Sequence, residues 1–249
     1  MIFTTRWLGI VVVTLVLLGC RHERHVHEEV LTLRDSSLYL GVHEEMKLEV
    51  DFKGNGYPSS HLIWESDHPA YAVVSEVGMV KGLVQGHAVI RVMTSDGTYA
   101  DKCNVRIHPT NHLFDEPAHE FGMSKEEVIT GEPRELEVAL SDKLIFKGDA
   151  KPVKKSMYFF EKGCLVTSAV LLQVEEVEYK KVKDFLLQRY FSLGIEKDIY
   201  FMTEGKMLIG LAIEQNGQLS IVYLEEKVLN AKGIGKYTYV KGIIDNVRN

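Results

Sequence analysis

Between Val30 and Ile107, short runs of alternating apolar and polar residues leave the chain little choice but β-strands. The runs are Leu38/Leu40, Met46/Leu48/Val50, Ile63, Val73/Val74, Val80, Val89/Val92 and Cys103/Val105/Ile107. A period of two turns alternate side chains to one face, so each run is a half-buried strand. Turn signals separate them at Gly54-Asn55-Gly56, His68-Pro69, Gly78, Gly86 and Asp96-Gly97. Breaks at such intervals predict a β-sandwich. Asp96-Gly97 between two alternating runs predicts a hairpin in which both turn residues accept positive φ.

The same stretch resembles the group 2 bacterial immunoglobulin-like domain. The likeness runs through Ser36-Ser37-Leu38-x-Leu40, Trp64-x-Ser66-Asp67-x-Pro69 and Ala72-x-Val74. It continues with Gly78-x-Val80-x-Gly82-Leu83-x-x-Gly86-x-Ala88-x-Ile90 and ends with Asp96-Gly97 and Cys103-x-Val105-x-Ile107. His43 departs from the pattern, which places Gly before Glu44, so the first turn is expected to differ. The resemblance implies a stalk or adhesive module. Trp64 is read as a plug between two sheets, and Cys103 as a core residue in phase with Val105 and Ile107.

His108-Pro109-Thr110-Asn111 marks a boundary, and beyond it the period changes. Ser124-Lys125-Glu126-Glu127-Val128 is a capping box with Ser124 as N-cap, and Met123 and Val128 are placed for a hydrophobic staple. Gly131 and Pro133 end that helix. Strands are expected over 136–140, 143–146, 157–160 and 165–172, with a turn at Glu161-Lys162-Gly163. A second helix carries Val174, Val177, Val182, Phe185, Leu186 and Tyr190, and Gly194 is read as its stop. Three more strands fit 199–203, 206–213 and 219–224, with turns at Glu204-Gly205 and Asn216-Gly217. The stretch from Lys227 is read as a closing strand with a solvated basic end (Lys232, Lys236, Lys241 and Arg248 around Tyr237 and Tyr239). The order suggests an αβββ duplication forming one antiparallel sheet with two helices on one face. That order is similar to the β-lactamase inhibitor protein and to TATA-binding-protein-like folds.

The N-terminus has its own character. Arg6 precedes an apolar run from Trp7 to Leu18, about a dozen residues against the roughly 20 that span a bilayer. Leu17-Leu18-Gly19-Cys20 closes the run, and this closure resembles the lipobox of bacterial lipoproteins. The resemblance implies cleavage before Cys20 and lipidation of its thiol, each buried CH₂ adding about 0.8 kcal/mol of membrane affinity. Arg21 to Glu29 holds little that can be buried and reads as a tether, with His22, His25 and His27 solvated.

The expected organisation is therefore a signal peptide (1–19), a tether (20–29), an immunoglobulin-like sandwich (30–108) and an α+β domain (109–249), mainly β overall. A net charge of −6 gives no reason to expect nucleic acid as a partner. Three cysteines without a C-x-x-C pair exclude a disulfide scaffold and a thiolate zinc site. No G-x-S-x-G, H-E-x-x-H, phosphate loop or dinucleotide fingerprint occurs. His108, His112 and His119, near Asp115, Glu116 and Glu120, are too widely spaced across a linker to suggest a metal centre. Cys164 has no His near it in sequence to activate a thiol.

The expected function is that of a non-catalytic lipoprotein of the cell envelope, at the outer membrane, with no cofactor and no metal. Its C-terminal domain is expected to bind an envelope protein or glycan through an open sheet face bearing Tyr158, Phe160, Tyr200 and Tyr223. The alternatives are an assembly subunit of an envelope complex, or an inhibitor of a hydrolase.

Overall fold

A computed structural model describes residues 30–53, 62–148, 152–173, 176–213 and 218–248. The lipobox with Cys20, the tether, and the turns at Gly54-Asn55-Gly56 and Asn216-Gly217 lie outside them.

The first half is all β. Its strands are β1 (Val30–Leu33), β2 (Ser37–Gly41), β3 (Glu45–Lys47), β4 (Val50–Lys53), β5 (Leu62–Ser66), β6 (Ala72–Val74), β7 (Met79–Gly82), β8 (Gly86–Thr94) and β9 (Ala100–His108). They form a four-stranded sheet (β2-β9-β8-β5), a three-stranded sheet (β3-β7-β6) and a β1-β4 ribbon. β2 runs parallel to β9, and the other pairs are antiparallel. Alternation along β8 and β9 puts Ala88, Ile90, Val92, Cys103, Val105 and Ile107 in one core with Leu38, Leu40, Leu48 and Val80. Cys103 is fully buried, and desolvation pushes its thiol up to about 11.

Three details differ from the sequence reading. Trp64 is half-buried at the rim of the core instead of plugging its centre. Its indole lies against Gly78, where a Cβ would come within 2.6 Å of Cζ2 and where φ is +79°. At the β8–β9 turn only Gly97 has positive φ. Asp96 instead accepts hydrogen bonds from the Thr94 hydroxyl (2.5 Å) and the Thr98 N–H (3.0 Å). These bonds, the Thr94 hydroxyl foremost, hold its carboxyl down to about 2. His43 itself takes the left-handed conformation, with φ 71°, and in it the His43 N–H donates to the Gly82 carbonyl.

The second half is one eight-stranded antiparallel sheet, ordered β10-β11-β12-β13-β17-β16-β15-β14. Helix α1 (Lys125–Gly131) precedes β10 (Leu136–Ala139), β11 (Lys143–Lys147), β12 (Val153–Glu161) and β13 (Cys164–Gln173). Helix α2 (Glu176–Leu187) precedes β14 (Phe191–Glu196), β15 (Ile199–Glu204), β16 (Met207–Ile213) and β17 (Gln218–Glu225). Each repeat is thus a helix followed by a four-strand meander, and the two meet at the β13–β17 pair. The duplication is real, but each repeat has four strands where the expected αβββ unit has three, and the second repeat gains one strand over those read from the sequence. The overlooked strand is β14: Gly194 does not stop a helix but sits in a bulge of that strand with φ +89°.

Ser124 caps α1 as expected, with both halves of the capping box made, and Met123 and Val128 share one cluster. Pro133 forces Glu132 into extended backbone, which ends the helix.

The chain after β17 corrects the reading most. It is not a strand but two helices, α3 (Glu226–Lys232) and α4 (Lys236–Arg248), parted by Gly233 in the left-handed conformation. Val240, Ile244 and Val247 recur at helical spacing and pack on Ile199, Phe201, Leu208, Ala212 and Val222. This face is opposite the one bearing α1 and α2, so the sheet is covered on both sides.

Candidate functional site

The four rings expected on an open face occupy another environment. Tyr158, Phe160 and Tyr223 are buried, at 0%, 5% and 0% exposure. Tyr158 and Tyr223 flank Ser168 in register, on the face that α1, α2 and the linker cover. Phe160 lies with Tyr158 in the α1 cluster, whereas Tyr223 belongs to the α2 cluster. Tyr200 alone is half-buried, near the β14 edge, with its hydroxyl 2.6 Å from Ser192 Oγ and Lys183 Nζ 4.1 Å from its ring. The open-face expectation is therefore corrected, because the linker fills the space between the two helices.

That linker is held by two carboxylates. Glu116 Oε1 accepts from the Tyr223 hydroxyl at 2.8 Å and the Tyr190 hydroxyl at 2.9 Å, while Arg189 lies 3.4 Å from its Oε2. Arg189 also donates to the Asn111 and Phe185 carbonyls, and its guanidinium lies over the Phe185 ring at 3.7 Å. Glu132 accepts from Tyr158 and pairs with Arg134 at 2.9 Å, both charged side chains being 2% exposed. Arg134 donates in turn to the Asp115 carbonyl at 2.6 Å, and the Tyr158 oxygen accepts the Ala118 N–H. Two sheet tyrosines thus reach carboxylates on or beside the linker.

Burial is the main cause that raises the phenols of Tyr158, Tyr190 and Tyr223, and the adjacent carboxylates add to it. Desolvation lowers the Arg189 guanidinium. Phenols held protonated against filled carboxylates are hydrogen-bond anchors, not poised acids or bases.

The histidines of the linker part ways. His119 stacks on Tyr223, with centroids 5.7 Å apart and an interplanar angle of 15°, and its Nδ1 is 3.0 Å from the Pro117 carbonyl. His112 faces Asp115 at 3.5 Å on the surface. Among the described residues no group of three or more His, Cys, Asp or Glu could hold a metal ion. Cys164 is exposed beside the Lys162-Gly163 turn.

A cavity of about 330 Å³ opens beside His119, bounded by Phe121, Met207 and the alternating charges Glu204, Lys206, Glu225 and Lys227. The lysines of the C-terminal helices are tied to acids: Lys232 to Glu161 at 2.7 Å, Lys241 to Asp198 at 3.1 Å and Lys236 to Glu196 at 3.8 Å. These pairs fasten the helices to the sheet and leave little charge for a polyanion. Two surfaces that the sequence reading missed are less satisfied. The edge strand β14 exposes Ile195 (70%) and Leu193 (48%). The outer face of the four-stranded sheet carries Arg91, Lys102 and Arg106. Their parity, opposite to that of Cys103, Val105 and Ile107, was the available signal.

No family model and no curated protein matches the chain. Among solved structures it is similar to the surface-layer protein SbsC, domains 4–9, at 12% identity and a TM-score of 0.29. That match covers 79% of this chain and 27% of the other, so the chain spans about a quarter of that relative. An intimin mutant from EHEC O157:H7 aligns at 10% identity and a TM-score of 0.24, covering 74% of this chain and 86% of the other. Cadherin domains 1–4 of protocadherin gamma B7 align at 10% and 0.28, covering 80% and 50%. At these scores the likenesses carry no functional argument. No helix among the described residues is long and apolar enough to cross a membrane.

Proposed function

We propose that the chain is a non-catalytic lipoprotein of the bacterial outer membrane, anchored through Cys20, whose sandwich spaces the eight-stranded sheet from the leaflet. The observation that carries this reading is Leu17-Leu18-Gly19-Cys20 at the end of an apolar run too short to span a bilayer. The filled carboxylates support the non-catalytic part, since Glu116 and Glu132 already hold tyrosines and arginines in place.

The partner is an extended segment of another envelope protein, added at the β14 edge. Backbone groups on the outer side of an edge strand suit strand addition, and Ile195 and Leu193 offer apolar contact there. Tyr200, the one expected ring with exposure, lies in register with Ile195.

The anchor is tested by acyl labelling: Cys20→Ser is expected to abolish the label and release the protein from membranes, and unchanged labelling overturns the reading. The edge is tested by capture from envelope extracts. Ile195→Lys is expected to lose a stoichiometric protein, whereas a captured glycan that survives the substitution overturns the strand-addition reading.

An assembly role has one observation in its favour. The two halves are braced by the Gln85 N–H on the Gln188 carbonyl (2.8 Å) and by the Tyr71 ring beside Phe191 (5.3 Å). A stiff strut of this kind suits a subunit that holds a fixed distance.

A further inference from the structure

The outer face of the four-stranded sheet has a distinctive composition. Across β2, β9 and β8 it presents Ser37, Tyr39, Lys102, Asn104, Arg106, His87, Val89 and Arg91, and no carboxylate. Lys102 and Arg91 are register partners, and so are Tyr39, Arg106 and His87. Carboxylates appear only toward β5. There Glu65 stands opposite Arg91, and Asp67, just past the strand, is engaged by the Val89 N–H (2.6 Å) and His68 (3.0 Å). Among the described residues none of Arg91, Lys102 and Arg106 makes an ion pair, unlike the lysines of the C-terminal helices. In a chain of net charge −6, three cations on one flat face are a local inversion of sign, although Arg91 shares its charge with Glu65 in register and with Asp67.

Placement adds a second observation. Tyr39 is 64% exposed and lies against Arg106, whose guanidinium is 5.9 Å from the ring centre. An amphipathic ring beside a cation suits the headgroup layer of a bilayer. The sandwich is also entered from the end of this face that bears Arg91 and Lys102. The Leu33 N–H donates to Asp101 at 2.7 Å, one residue from Lys102, whereas His108 leads to the second half. Nine residues separate Cys20 from Val30, at most about 35 Å of chain. If Cys20 is lipidated, on which this inference rests, the basic face stays within reach of the leaflet.

We infer that the β2–β9–β8 face, through Arg91, Lys102, Arg106 and Tyr39, is a secondary membrane contact that binds the phosphate headgroups of anionic lipids in the anchoring leaflet. Acyl chains hold the protein to the membrane, and this contact sets its orientation.

The polypeptide from Arg21 onward keeps every described residue and has no acyl chain, so vesicle flotation isolates the headgroup contact. It is expected to float with phosphatidylcholine vesicles containing phosphatidylglycerol, not with phosphatidylcholine alone, and to be released by high salt. R91Q/K102Q/R106Q is expected to weaken binding on the order of 100-fold, the equivalent of about 1 kcal/mol for each basic residue near an anionic surface. K180Q/K181Q/K206Q, which changes net charge equally on the other half, is expected to leave it intact. Circular dichroism and thermal melts of both variants establish that they fold. Absence of flotation, equal loss in both variants, or no loss in the first overturns the inference. So does binding to a soluble acidic polysaccharide in place of vesicles, which assigns the face to an anionic glycan. Acyl labelling of the full chain is read separately, so a failed anchor and a failed headgroup contact are distinguishable.

Discussion

The side-chain oxygen of Gln188 accepts the backbone N–H of Thr110 at 2.7 Å. Gln188 follows α2, and Thr110 is the second residue after the sandwich. The same oxygen accepts the Asn111 N–H at 3.1 Å, and the side-chain nitrogen donates to Asp184. Gln188 is 4% exposed, so water cannot readily replace it. Together with its backbone carbonyl, which accepts the Gln85 N–H, this one residue joins sandwich, linker and α2.

Gln188→Ala is therefore expected to cost about 1–3 kcal/mol, because it leaves two backbone donors partly buried without an acceptor. Urea unfolding measures the loss. A substitution within about 0.3 kcal/mol of the parent shows that the linker finds other partners.

His43 occupies left-handed backbone that only glycine enters without steric cost. His43→Gly is expected to stabilise the protein by about 0.5–1 kcal/mol, the relief of strain exceeding the added chain entropy. A lowered melting temperature would show that the His43 side chain makes a contribution larger than the strain.

Gly210 lies beneath α4, where a Cβ would come within 2.7 Å of Val240 Cγ1. Gly210→Ala is expected to cost about 1–3 kcal/mol by forcing helix and sheet apart. The Gly210→Ala/Val240→Ala double variant is expected to lose less than the sum of the two singles, since the second change vacates the clash. Strict additivity in that cycle contradicts the close approach.

Tyr158, Tyr190 and Tyr223 all have phenols raised in the fold. Above the ordinary phenol value near 10, the unfolded chain has lost these protons while the folded chain retains them. Stability is thus fully present below about pH 10 and falls as pH rises, by up to about 4 kcal/mol per pH unit for three tyrosines. Phenolate absorbance is expected to show that three of the eleven tyrosines ionise only with unfolding. Reversible titration of all eleven in the folded state refutes the burial argument.

Local patterns went far in this chain. Alternation at Cys103, Val105 and Ile107 identified an inward row because neighbouring strand residues must point oppositely. Ser124 and Glu127 announced a helix start, and Lys162-Gly163 a tight turn, since each depends on residues a few positions apart. The missed elements had ambiguous local signals: Phe191–Glu196 holds a Gly that reads equally as a stop or a bulge. The apolar spacing of Val240, Ile244 and Val247 was outweighed by the lysines and tyrosines around it.

By itself the sequence determined two β-rich halves, their boundary near Pro109, the duplicated element order and a candidate anchor at Cys20. Tertiary structure alone decided which side of the second sheet stays open, and the answer is neither along its centre. Glu116 meets Tyr223, 107 positions away, and Glu132 meets Tyr158, 26 positions away. Such pairings follow from how strands and linker stack in space, and no spacing along the chain encodes them. Aromatic residues at strand positions look alike to local rules whether they face solvent or a helix. Their fate depends on what the rest of the chain lays over them, here the linker on one face and α4 on the other.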